Sequence, residues 1–209
     1  SVYKATQQIV NELKQDVVPG NDIEIMGQAA AMDEAYRDLL FGFLLAVFFI
    51  YIIMLFNFAS WIMPLVALSG APIAISGAII GLMLTGTTIS VPALMGFIMV
   101  IGVSTANSVL VTTFARDQWV AGKSAFEAAR EAASTRLRPV LMTALTMIIG
   151  LLPMALALGE GGEQNAPLAR TVIGGLMLGT FASLFLVPWT FSMIMQFIKR
   201  PQPIKLPTI

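Results

Sequence analysis

Hydrophobic and polar positions fall along this chain in blocks of membrane length. Apolar runs cover residues 39–58, 62–84, 91–115, 140–158 and 171–198, with short polar stretches between them. A helix crossing about 30 Å of hydrocarbon needs about 20 apolar residues, so the pattern predicts an all-α membrane protein with about five transmembrane helices. The third run begins fully apolar and then acquires a polar seam of Ser104, Thr105, Asn107, Ser108, Thr112 and Thr113 before closing on Arg116 and Asp117. On a helix, Ser104, Ser108 and Thr112 recur at i, i+4 and i+8, with Asn107 beside Ser108. Polar side chains in a span need partners, so this seam should face other helices and place the third helix at the centre of a bundle.

The second run holds Pro64, Gly70, Pro72 and the spacing Gly77-x-x-x-Gly81, and the last run holds Gly174, Gly175, Gly179 and Pro188. Small residues at such intervals let two backbones approach closely, which marks Gly77, Gly81, Gly175 and Gly179 as helix-packing positions. Trp61 sits between the first two runs, where an interfacial aromatic belt is expected.

The polar stretches carry their own signals. Over 118–138, Ser124 and Glu127 form a capping-box pair. Phe126, Ala129, Ala133 and Leu137 fall on one helical face, with Lys123, Glu127, Arg130, Glu131 and Ser134 away from it. That spacing predicts an interfacial amphipathic helix over about 124–137, ended before Pro139. Residues 1–15 have helical spacing, Pro19, Gly20, Asn21 and Asp22 form a turn, and 23–26 alternate like a strand. Residues 1–27 therefore read as a short α/β remnant of a water-soluble domain, and 28–209 as the transmembrane bundle. Arg116, Lys123, Arg130, Arg136, Arg138, Lys199, Arg200 and Lys205 lie on one side of the spans, against Arg37 and Arg170 near the other. This asymmetry predicts a cytoplasmic amphipathic helix and C-terminus, and a periplasmic N-terminal segment in a bacterial inner membrane.

Composition narrows the chemistry. Hydrophobic residues make up 57% and charged residues 11%, with mean hydropathy +0.82, well away from a soluble domain. Net charge is zero, which gives no electrostatic basis for binding nucleic acid. With no Cys and no His, thiol chemistry, imidazole catalysis and most transition-metal sites fall away. The 13 methionines include Met95, Met99, Met142 and Met147; thioethers suit Cu(I), but scattered Met is ordinary gap-filling. No metal or cofactor is expected. Residues 39–115, 140–158 and 171–198 contain no charged side chain, so the chain alone has no carboxylate for a proton relay and no buried Asp pair for intramembrane proteolysis. It is not expected to be an enzyme. The remaining polar set is Ser104, Asn107, Ser108 and Thr112 with Thr143 and Thr146. It suits either a hydrated path or plain helix–helix contact, and Arg136 and Arg138 suit snorkelling at a helix end.

The run GVSTANSVLVTTFARD, followed by GKSAFEAAREAASTRLRPVLMTALTMIIGLLPMALALGEGGEQNAPLA, resembles the resistance–nodulation–division (RND) transporters, most of all their hydrophobe/amphiphile efflux branch, and the likeness extends through the earlier apolar runs. The resemblance implies a much longer protein: two repeats of membrane helices, each interrupted by a large periplasmic domain, working as a trimer. This chain is similar to the last helices of the second repeat. The implied function is proton-driven efflux, as in multidrug resistance, with the proton-carrying aspartates in the first-repeat half. The implied partners are that half, the lipid bilayer, two further copies, a periplasmic adaptor and an outer-membrane channel. Ser104, Asn107, Arg136 and Thr143 match positions that support the proton relay. The family's relay lysine position is Ala106 here, a departure that calls for a simpler aspartate site or a substitute group. A non-transporting membrane scaffold, or a lipid- or protein-export relative, is the alternative.

Overall fold

The computed structural model describes residues 28–58, 60–159 and 161–198, so the α/β remnant predicted over 1–27 and the basic tail lie outside the described residues. Among those residues the order is α1 (Gln28–Phe58), α2 (Ile62–Leu68), α3 (Ala71–Leu84), α4 (Val91–Val120), α5 (Ala125–Ala155), α6 (Gly162–Phe181), a π-helical turn (Ala182–Leu186) and α7 (Val187–Met195). Five segments are long and apolar enough to cross a membrane: Glu34–Phe58, Ile62–Leu84, Val91–Val120, Ala125–Ala155 and Gly162–Met195. These are the five predicted spans, and the protein is a multipass membrane protein.

The chain divides after Gly42 into two compact units. In the first, Arg37 Nε lies 4.0 Å from Asp38 Oδ1 with both side chains exposed, an arrangement that contributes little. The second unit, from Phe43 onward, holds the helix packing.

Two prolines shape the spans. Pro72 has no N–H for the Leu68 carbonyl, and its ring would crowd that carbonyl. The second span therefore breaks at Ser69 and Gly70 and restarts with Pro72 in the first turn of α3; Ser69 Oγ donates back to Val66 O at 2.7 Å. Pro188 likewise offers no proton to Leu184 O. There the ladder widens instead, and the Val187 N–H reaches Ala182 O, five residues back.

The capping box begins α5 as predicted. Ser124 Oγ accepts from the Glu127 N–H at 3.2 Å, and Glu127 Oε2 accepts from the Ser124 N–H at 3.2 Å. Ser124→Ala should cost about 1 kcal/mol, visible as faster amide hydrogen exchange confined to the first turn of α5. The predicted end of that helix is corrected, however. α5 continues through Pro139 to Ala155, so the amphipathic stretch and the fourth run form one helix of 31 residues. Good helix formers (Arg136, Leu137, Arg138) lead into the proline, and a span tolerates one missing ladder bond. Of the predicted apolar face, Ala129 is buried together with Ala128 and Ala132, while Phe126 is 68% and Leu137 40% exposed. Alanines leave room for bulky neighbours, and these three pack with Trp119, Phe191 and Met195.

Buried apolar residues form two clusters in the second unit. One gathers Phe58, Met63, Val66, Val111, Ala115, Trp119, Phe191 and Met195, with others from α1, α2, α4, α5 and α7. The other is Ala74, Val100, Val172 and Leu176. Along α4, Val100 belongs to one and Val111 to the other, and the buried hydroxyls of Ser104, Thr105 and Ser108 lie between them.

Candidate functional site

The polar belt is held by irregular backbone on both sides. Ser183, inside the π-turn, donates to Gly179 O at 2.8 Å. Its proton is thereby spent, so in the 3.2 Å contact between Ser108 Oγ and Ser183 Oγ it is Ser108 that donates. Gly70, at the break of the second span, approaches the same place: a Cβ there would lie 3.2 Å from Ser108 Oγ and 3.3 Å from Val187 Cγ2. The break, the π-turn and the α4 seam thus meet at one point.

Ser104 is buried against Gly179 and Ala74; a Cβ on Gly179 would stand 3.0 Å from Ala74 Cβ and 3.3 Å from Ser104 Oγ. The buried hydroxyls of Ser104, Thr105, Thr112 and Thr180 find no hydrogen-bond partner among the described residues. Thr105 and Ala106 line a groove of about 420 Å³ between α4 and α1, with Ile50, Met54 and Asn57 opposite. Ala106 is exposed and Asn107 half-buried.

Arg136 lies more than three turns inside α5, not at a helix end, because α5 does not stop at Pro139. Its guanidinium stands over the Phe114 ring, 5.6 Å from the centroid, and its Nε is buried without a hydrogen-bond partner. Thr143 is exposed, and its hydroxyl donates to Val140 O at 3.0 Å. No hydrogen bond joins any two of Ser104, Asn107, Arg136 and Thr143 among the described residues. The Phe114–Arg136 contact nevertheless joins α4 to α5. Two turns back along α4 from Phe114 is Asn107, and two turns on along α5 from Arg136 is Thr143. Each is about 10 Å along its own helix from the residue that makes that contact.

The four glycines marked for packing sit at helix crossings. A Cβ on Gly77 would lie 2.6 Å from Gly174 O, on Gly81 2.9 Å from Arg170 O, and on Gly175 2.5 Å from Val100 Cγ1. The tightest reciprocal approach, Gly174 against Gly77, involves a glycine outside the predicted set. Arg170 is the other residue that sequence reasoning missed. Its Nε–H donates to Ala155 O at 2.9 Å and its Nη1 to Thr87 Oγ1 at 2.7 Å, tying α6 to the end of α5 and the turn after α3. The available signal was its position as the basic residue immediately before the uncharged last run.

A polytopic helical bundle with a broken span, a π-turn and a hydroxyl belt in place of charges is the architecture of a membrane transporter segment. Residues 1–195 match the AcrB/AcrD/AcrF family, and the chain belongs to that family of RND efflux transporters. It is similar to the swarming motility protein SwrC of Bacillus subtilis, at 34% identity over 96% of this chain and 19% of the relative. It is also similar to the multidrug resistance protein MdtC of Erwinia tasmaniensis, at 33% identity over 84% and 17%. Among solved structures, a heavy metal efflux pump superposes with TM-score 0.71 at 30% identity, covering 86% of this chain and 18% of that one. The chain spans about a fifth of the length of these relatives.

Proposed function

We propose that this chain supplies second-repeat membrane helices to a proton-driven exporter of the bacterial inner membrane, an antiporter in which the helices support a proton relay seated in the first-repeat half. The observation that carries this reading is the flank of α4 and α5. Arg136 stands over Phe114 there, Asn107 lies two turns along α4 from Phe114 and Thr143 two turns along α5 from Arg136, and the groove beside Ala106 leaves room for a group from another helix. A flank of donors and acceptors without a carboxylate suits a supporting surface for acids elsewhere in the protein. The basic turn between α4 and α5 faces the cytoplasm in this reading, and the α5–α6 turn faces the periplasm. A homotrimer joined to a periplasmic adaptor and an outer-membrane channel completes the proposal. The relatives' names speak of motility, drugs and heavy metal, so cargo is not assigned from this segment.

The test uses the full-length transporter in proteoliposomes with an imposed pH gradient, reading cargo-stimulated proton flux with a pH-sensitive dye. Asn107→Ala and Arg136→Ala should each lower that flux about tenfold or more, the loss of one hydrogen bond to a charged group. Unchanged flux in both variants removes these residues from the relay. Cargo binding without any proton flux in the parent protein favours the scaffold reading.

A further inference from the structure

A second site lies at the far end of the bundle from the basic turn. Between α3, α5 and α6 is a groove of about 520 Å³, a size typical of ligand pockets. Its lining is apolar except for Thr85 and Arg170. Gly77, Gly81 and Gly174 line it at the crossing where α3 and α6 meet backbone to backbone. Its walls stand open: Ile80 is 46%, Leu152 42% and Met177 62% exposed.

Arg170 stands at one end. Its two hydrogen bonds go to neutral acceptors, the Ala155 carbonyl and the Thr87 hydroxyl. A guanidinium has five N–H donors, so more are left, and no described carboxylate pairs with the charge. Leu84 and Ala155, the last residues of α3 and α5, mark this level as the edge of the apolar spans. From Arg170 the lining runs inward along α6 through Ile173 and Gly174 to Met177, about 10 Å of apolar surface. A cation at the edge of the hydrocarbon with an apolar trough beneath it has the shape and charge of an amphiphile's complement.

We propose that this groove binds one anionic phospholipid, its phosphate on Arg170 and one acyl chain lying along Ile80, Leu152, Ile173 and Met177. Charge selects this occupant. A neighbouring apolar helix would leave the guanidinium unneutralised at the edge of the membrane, whereas a lipid brings the anion and the chain in one molecule.

The test is native mass spectrometry of the full-length protein, delipidated and then exposed to phosphatidylglycerol or to phosphatidylcholine with the same acyl chains. One phosphatidylglycerol should be retained at this site, preferred about fivefold, the worth of one arginine beside an anionic headgroup. Met177→Trp, which fills the trough and leaves Arg170 in place, should abolish that retention. Arg170→Gln keeps N–H donors and should retain a lipid without the preference. A benzophenone side chain at position 80 should crosslink to lipid in native membranes. Equal retention by Met177→Trp and the parent protein overturns the proposal, as does a crosslink from position 80 to another protein segment, which would make the groove a seat for a helix.

Discussion

Gly174→Ala is expected to be among the most damaging single-methyl additions to this bundle. A Cβ at this position would lie 2.5 Å from Gly77 O and 2.8 Å from Gly81 Cα. Both are backbone atoms, so no rotamer change relieves the overlap; α3 and α6 must move apart along their crossing. Overpacking of a tight core costs about 1–3 kcal/mol, and loss of the close backbone contacts, each worth about 0.5–1 kcal/mol, puts this substitution at the upper end. Gly150→Ala is the control. Gly150 lies inside α5 with nothing within 4 Å of the added methyl, and alanine there gains roughly 0.8–1 kcal/mol of helix propensity. The measurement is the temperature at which half of the full-length protein remains monodisperse in detergent. Gly174→Ala should lower it by many degrees and Gly150→Ala should hold or raise it. Equal behaviour of the two would mean that the α3–α6 crossing is looser than described.

Arg170→Met is expected to rank second. Methionine keeps much of the aliphatic stem and removes the two bonds that tie α6 to Ala155 O and to Thr87 Oγ1. Ala155 closes α5, so its carbonyl is one of the last four without an acceptor role inside the helix. The cation beside it also opposes the negative end of that helix. Bonds from a charged donor are worth about 1.5–3 kcal/mol each; half-buried and coupled through one side chain, the pair should total about 3 kcal/mol. Hydrogen exchange gives the sharper readout. Amides of the last turn of α5 and of Thr85 to Thr87 should exchange faster together, while the first turn of α5 stays protected. Arg138→Met, an exposed position on the same helix as Ala155, should change stability by less than about 0.5 kcal/mol. An Arg170 variant with unaltered exchange at both places would show that the two turns hold themselves.

The spans were legible because length and hydropathy are local properties. Each apolar run lies in a helical segment long enough to cross, broken in the second span, and the polar seam of the third run lies largely buried on α4. The capping box was legible for the same reason: Ser124 and Glu127 read each other across a single turn. What escaped the sequence depended on partners far away in the chain. Pro139 is a helix end by propensity alone, yet in the bundle α5 runs through it. Spacing put Ala129 on an apolar face with Phe126 and Leu137, but that Ala128 and Ala132 pack inward beside it depends on Trp119, Phe191 and Met195 filling the space there. Gly174 was passed over because spacing favoured Gly175 and Gly179, whereas the choice is made by which glycine meets Gly77. Arg170 looked like a topology marker since Thr87 and Ala155 are 83 and 15 residues away. Of the relay set, Arg136 stands over Phe114, and no hydrogen bond joins it to Ser104, Asn107 or Thr143 among the described residues.

The π-turn at Ala182–Leu186 has a consequence for how this family's chains can be compared. Such a turn is an α-helix with one residue inserted, and the surplus is absorbed locally as the ladder widens. Downstream, Phe191 and Met195 still reach the core. Forced into a regular helix at the same chain length, α7 would rotate by about 100° and carry them out of it. Removing one residue from the turn would restore a plain helix and leave both where they are. A one-residue gap in an alignment at this point therefore marks a relative whose last span is straight, and the residues after it should be matched as though nothing had been lost.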